Sequence, residues 1–147
     1  MVRQVMDMGR GSCTYPDGSI YEGDMRKGKP HGQGTLTFTD GGKYTGDFQD
    51  GDMHGQGTLS LPGGYEYTGE WKNGQIEGHG IATYPEGGRY AGEWAGNEKH
   101  GLGSWTWTDG SKYVGEFKND RMHGHGSMAR PDGTVHEGVW EEGKFKD

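Results

Sequence analysis

The chain has 147 residues, of which only 28% are hydrophobic and 25% charged, with a formal net charge of −7. This balance excludes a thick aliphatic core and argues against nonspecific binding to nucleic acid or anionic lipid, while leaving room for a basic partner. Cys13 is the single cysteine, so no intrachain disulfide is available and a reducing compartment is expected. No apolar run approaches the roughly 20 residues of a membrane-spanning helix. Residues 1–8 lack the apolar stretch of a signal peptide. The expectation is a soluble, intracellular, cytoplasmic protein.

In chain order, a leader of eight residues (1–8) is followed by six units of 23 residues, at 9–31, 32–54, 55–77, 78–100, 101–123 and 124–146. Each unit reads as a β-hairpin. The first runs from the pair Gly9 and Gly11 through Cys13 and Tyr15 to a turn at Gly18, then through Tyr21, Gly23, Asp24 and Met25. The second is the fullest. Gly34 to Phe38 alternates with period two, Thr39-Asp40-Gly41-Gly42 is a turn signal, and Lys43 to Phe48 alternates again. The third repeats the pattern around Tyr67, Gly69, Glu70 and Trp71, and the fourth around Tyr90, Gly92, Glu93 and Trp94. The fifth adds Trp105 and Trp107 on its first strand, and the sixth departs at His136 and Val139. Every unit has a glycine at its turn, from Gly18 to Gly133. Positions 28, 51, 74, 97, 120 and 143 hold only Gly, Asn or Asp, types that tolerate left-handed backbone. A second tight turn is therefore predicted between hairpins. No segment has a helical period.

Alternation assigns the side chains to two faces. One is predicted to carry the Tyr, Gly and Phe/Trp columns with Leu36, Phe38, Leu59, Leu61, Tyr84, Trp105 and Trp107. The other carries Thr and Ser, the acids, and Lys43, Arg89 and Lys112. A glycine column beside bulky residues lets a neighbouring ring lie over the backbone. His31, His54, His100 and His123 also form a column. Equivalent atoms in stacked hairpins sit roughly 10 Å apart, too far to share a metal ion. The expected role is a hydrogen bond to the adjacent unit. Cys13 shares a column with apolar residues, so a buried, inert thiol is expected.

The pattern Tyr-x-Gly-[Asp/Glu]-[Trp/Phe]-x-x-Gly-x-x-His-Gly-x-Gly, complete in Tyr44 to Gly57, closely resembles the MORN repeat (membrane occupation and recognition nexus). The resemblance spans residues 9–147, with Met25, Glu77, His136 and Val139 as departures. It implies an all-β, elongated, single-layer array of antiparallel hairpins, a repeat solenoid used for protein contacts. In some members it implies cytoskeletal or membrane-side roles. No catalytic constellation, cofactor site or metal site is expected.

The leading functional reading is a scaffold for other proteins. Its partner surface is placed on the aromatic face, at Phe38, Tyr84, Trp105, Trp107, Tyr44, Tyr67, Tyr90, Trp71 and Trp94, with much of the ring area serving as core. Glu70 and Glu93 are expected to steer an amphipathic or basic segment. An end-to-end homodimer is expected to use Val135, Val139, Trp140 and Phe145, since open strand edges invite pairing. The rival reading is phosphoinositide or membrane-surface binding through Arg26, Lys27 and Lys29.

Overall fold

The computed structural model describes residues 9–146, and the leader 1–8 lies outside them. Within that range every regular element is a β-strand and no helix is present. The chain divides into two units, residues 1–75 and 76–147. The first holds β1 (Gly9–Thr14), β2 (Ile20–Arg26), β3 (Lys29–Thr37), β4 (Lys43–Gln49), β5 (Asp52–Ser60) and β6 (Glu66–Lys72). The second holds essentially all of β7 (Gln75–Thr83), then β8 (Arg89–Ala95), β9 (Glu98–Thr106), β10 (Lys112–Lys118), β11 (Arg121–Ala129), β12 (Val135–Glu141) and β13 (Lys144–Phe145). In each unit consecutive strands pair antiparallel in sequence order, so each is an all-β meander without crossovers.

Two kinds of turn alternate. The first follows the odd-numbered strands at Gly18, Gly41, Gly64, Gly87, Gly110 and Gly133, all with φ between 93° and 109°. An aspartate locks several of these turns. Asp17, Asp40, Asp109 and Asp132 each accept the backbone N–H two residues on, at 2.8–2.9 Å. These bonds hold the carboxyls of Asp17 and Asp109 below their usual range; at Asp132 the Thr134 hydroxyl adds the larger effect.

The second kind is a two-residue loop after the even-numbered strands. In Lys27-Gly28, Asp50-Gly51, Asn119-Asp120 and Glu142-Gly143 both residues have positive φ, the backbone of a type I′ hairpin. The Gly, Asn or Asp column read from the sequence is therefore the second loop residue in each case. Its N–H also donates back to the preceding hairpin, as from Gly51 to Pro30 O at 2.8 Å and from Asp120 to Lys99 O at 3.1 Å. These bonds tie each loop to its predecessor.

The core is aromatic. Tyr21, Tyr44, Tyr67, Tyr90 and Tyr113 are fully buried, and Phe48, Trp71, Trp94, Phe117 and Trp140 are nearly so. Each ring packs edge-on against its neighbours. In the first unit Phe48 lies 4.8 Å from Tyr21 and 5.0 Å from Tyr44, and Trp71 lies 5.1 Å from Tyr44. In the second, Phe117 bridges Tyr90 and Tyr113 in the same way. Edge-to-face contacts of this kind add about 0.5–1.5 kcal/mol per pair to area burial.

Candidate functional site

The repeat motif can be explained residue by residue. Four of the ladder tyrosines lie flat over the glycine of the next strand. A Cβ placed on Gly34, Gly57, Gly103 or Gly126 would collide with the ring of Tyr21, Tyr44, Tyr90 or Tyr113. The hydroxyl then donates to the carbonyl three residues on, from Tyr21 to Asp24 at 2.5 Å and from Tyr44 to Asp47 at 2.7 Å, with Tyr67, Tyr90 and Tyr113 doing the same. Burial pushes these phenols up, Tyr21 and Tyr113 to about 12 and the other three further.

The acid that follows completes a bulge. Register slips between Gly46 and Phe48 against β5, and at equivalent points of β2, β8 and β10. The slip leaves a backbone N–H unmatched, and the acid accepts it. Asp24 takes the N–H of Gln33 at 3.0 Å, Asp47 that of Gln56 at 2.9 Å and Glu93 that of Leu102 at 2.7 Å. Gly55 and Gly101 turn over these carboxylates with φ of 75° and 76°, where a Cβ would strike the acid. The His column closes the loop edge. His31 Nδ1 accepts from Asp50 N at 3.2 Å and His54 Nδ1 from Asn73 N at 3.4 Å. In place of a histidine, Glu77 accepts from Gly96 N at 2.6 Å. The bond to the adjacent repeat expected of this column is present for His31 and His54. Among the described residues no group of three His, Cys, Asp or Glu side chains is arranged around a common point.

A scan against family models finds the MORN repeat six times, at residues 8–20, 21–43, 44–64, 67–89, 90–112 and 113–135. The chain belongs to the MORN repeat family. The last five matches begin at the ladder tyrosine and so divide the same 23-residue period at a different point. No curated protein matches the chain. Similar solved structures include the SAS-4 (dCPAP) TCP domain of Drosophila melanogaster, in complex with a proline-rich motif of Ana2 (dSTIL). It is 13% identical, with 90% of this chain and 84% of that one covered, and a TM-score of 0.40. The TCP10 domain of Danio rerio CPAP, in complex with a STIL peptide, is 20% identical, with 89% and 66% covered and a TM-score of 0.32. The G-box domain of the microcephaly protein CPAP is 16% identical, with 89% and 93% covered and a TM-score of 0.41. The family assignment rests on the repeat model and not on these.

The geometry of the MORN core revises the expected partner surface. Tyr44, Tyr67, Tyr90, Trp71 and Trp94 are core, because each packs over glycine or between rings and has no surface to offer. Trp71 Nε1 donates to Gly57 O at 3.1 Å and Trp94 Nε1 to Gly80 O at 3.2 Å, which fixes both indoles inward. Phe38, Tyr84, Trp105 and Trp107 are half-exposed. Glu93 cannot steer a segment along the rings, because its carboxylate lies on the opposite face, bonded to Leu102 N and 3.6 Å from His79. Glu70 occupies the same register position on β6, opposite Gln56.

The expected dimer end also divides. Trp140 is core, donating from Nε1 to Gly126 O and packed at a tilt against Phe145. Val139 pairs with His125 on the far side of the strand, so it shares no surface with Trp140. Cys13 is half-buried and not buried, since its strand pairs with β2 alone among the described residues. Arg26, Lys27 and Lys29 are exposed around the first two-residue loop.

In the second unit the ring face is open around Trp105 and Trp107. Trp105 and Trp107 are 6.3 Å apart and nearly perpendicular, and Tyr84 lies 5.1 Å from Trp105. Trp107 separates two adjoining clefts. One, of about 310 Å³, is lined by Lys99, Trp105, Phe117, Asp120, Arg121 and Met122. The other, of about 490 Å³, runs past Met122, Met128, Arg130 and Trp140 to Lys144 and Phe145.

Lys99 is the feature that sequence reasoning missed. Its column reads Pro30, Met53, Ile76, Lys99, Met122, so the signal was a single cation among apolar residues. The side chain is 14% exposed, and Nζ sits 5.1–5.9 Å from the centroids of Tyr84, Tyr90, Trp94 and Trp105. Burial pulls its pKa below the usual lysine value, with Asp120 at 3.8 Å opposing. Four aromatic faces and one carboxylate compensate the buried charge.

Proposed function

We propose that this protein is a non-catalytic scaffold whose second unit holds an extended or amphipathic segment of another protein in the groove beside Trp105 and Trp107. One observation carries the reading. The repeated rings are consumed by the core, whereas Trp105 and Trp107 stand half-exposed along two continuous clefts, even though Trp105 abuts Gly88. Large rigid aromatics at an open groove are the side chains that dominate protein recognition. The charged lining is Lys99, Arg121, Arg130 and Lys144 against Asp109 and Asp120. It favours acidic residues in the bound segment over the basic ones expected from the net charge of −7.

The test is selection from a displayed peptide library on the parent protein, followed by binding to a Trp105→Ala/Trp107→Ala variant. Binding should fall by at least about tenfold, the loss of one or two buried anchors, while the melting temperature stays close to that of the parent. A variant that unfolds would show that these rings are core. A rival membrane role would appear as binding to phosphoinositide vesicles that is lost when Arg26, Lys27 and Lys29 are changed to Glu.

A further inference from the structure

The face opposite the rings differs between the two units. In the first, its central row is Thr35, Thr45, Thr58 and Thr68, cross-strand partners whose hydroxyls meet at 3.0–3.3 Å. In the second, the same register positions hold Ile81, Ala91, Ser104 and Val114. Leu102 likewise stands where Gln33 and Gln56 stand in the first unit. Three of these aliphatics are among the most exposed in the protein, Leu102 at 63%, Val114 at 53% and Ile81 at 40%. A threonine row that satisfies itself has been replaced by an apolar row open to water.

Charge flanks that row asymmetrically. On β8 the outward residues read Arg89, Ala91, Glu93, and on β10 they read Lys112, Val114, Glu116. Each strand thus carries a cation, an apolar centre and an anion, two residues apart. Arg89 and Lys112 are exposed. The Glu93 and Glu116 side chains remain 42% and 47% accessible, although His79 and His125 approach them at 3.6 and 3.9 Å.

This pattern is its own complement. Consider two copies placed face to face, related by a two-fold axis running along the apolar row. Each central residue then meets its own symmetry mate. Arg89 lies over the second copy's Glu93, Lys112 over its Glu116, and the reciprocal pairs form as well. A two-fold axis along the strands would instead set like charges together. Isologous contacts require this kind of self-complementarity. Glu137, in the central row of β12, would meet its own copy and so ends the patch.

We infer that the polar face of the second unit, centred on the row Ile81, Ala91, Ser104 and Val114 with Leu102 beside it, is a two-fold interface with a second copy of this chain. The footprint across β7 to β11 is roughly 20 Å by 14 Å from strand spacing and rise, about 300 Å² per copy. A standard interface takes about 800 Å² from each partner. The dimer is therefore weak, forms at high protein concentration, and loosens with salt because its charge pairs are at the rim. It leaves the Trp105 groove on the other face open.

Sedimentation equilibrium of the full chain over a rising concentration series, at low and high salt, tests this directly. The parent should show a monomer–dimer equilibrium that weakens as salt is added. Arg89→Glu with Lys112→Glu should raise the dissociation constant about tenfold or more, since four cross-copy attractions become repulsions. The triple change Ile81→Thr, Leu102→Gln and Val114→Thr installs residues the first unit already carries at these positions, so folding is retained and the dimer should be lost. A short bis-maleimide linker should join two copies through Ser104→Cys in a Cys13→Ser background. A parent that stays monomeric throughout, or a dimer indifferent to the triple change, overturns the inference. A dimer abolished instead by Phe145→Ser would place the contact at the last strand and also overturn it.

Discussion

Gly57→Ala isolates the central packing relation of the fold. The added methyl would occupy space held by Oη, Cζ and Cε2 of Tyr44. That ring cannot retreat. It is fully buried, and Phe48 and Trp71 hold it edge-on at 5.0 and 5.1 Å. Overpacking of this kind costs about 1–3 kcal/mol. Displacing the ring also breaks the 2.7 Å bond from the Tyr44 hydroxyl to Asp47 O, worth about 1 kcal/mol more. The expected loss is about 2–4 kcal/mol. Urea denaturation followed by circular dichroism measures it. Gly63→Ala serves as control, because a Cβ there meets nothing within 4 Å, and its effect should stay within about 0.5 kcal/mol. In a Tyr44→Leu background the Gly57 change should cost much less, a coupling that a double-mutant cycle reads directly. A Gly57→Ala protein as stable as the parent would refute the reasoning.

Trp71→Phe keeps the ring contacts but removes the Nε1 bond to Gly57 O, and should cost about 1 kcal/mol in the same assay. Glu77→Ala strands the Gly96 N–H that its carboxylate accepts at 2.6 Å. Because that bond is charge-assisted it should cost about 1–3 kcal/mol, visible as faster amide exchange at Gly96. The ladder tyrosines resist ionisation in the folded state, their pKa raised above the unfolded value of about 10. Their contribution to stability is therefore complete below pH ~10 and is lost as pH rises through the folded values. Ultraviolet titration should show Tyr21 and Tyr113 ionising near about 12 or on alkaline unfolding, whichever comes first.

Much of this fold was legible because a fixed period exposes the backbone's needs. Turn glycines such as Gly41 and the Gly/Asn/Asp column at 28 to 143 follow from positive φ, which few residues tolerate. The pairing of a glycine column with a ring column was readable as well. The burial of individual rings was not, because alternation assigns a face and says nothing of what covers it. Tyr90 and Trp105 share a face and face each other across two strands. Both lie against a glycine, Tyr90 over Gly103 and Trp105 beside Gly88, yet only Tyr90 is fully buried. The structural role of the acid column was not legible, because the bulge that needs Asp47 or Glu93 as an acceptor is a register event invisible to period counting. Lys99 was overlooked for the opposite reason, since one cation in an apolar column looks like variation until its four rings are placed around it.

The most direct test of the proposed groove uses the five tryptophans as reporters. The protein is labelled with 5-fluorotryptophan, and its ¹⁹F resonances are followed as a library-selected peptide is added. The resonances of Trp105 and Trp107 should shift with saturation, while those of the core indoles Trp71 and Trp94 stay in place. Shifts confined to Trp71 and Trp94, or none at Trp105 and Trp107 on saturation, would contradict the account.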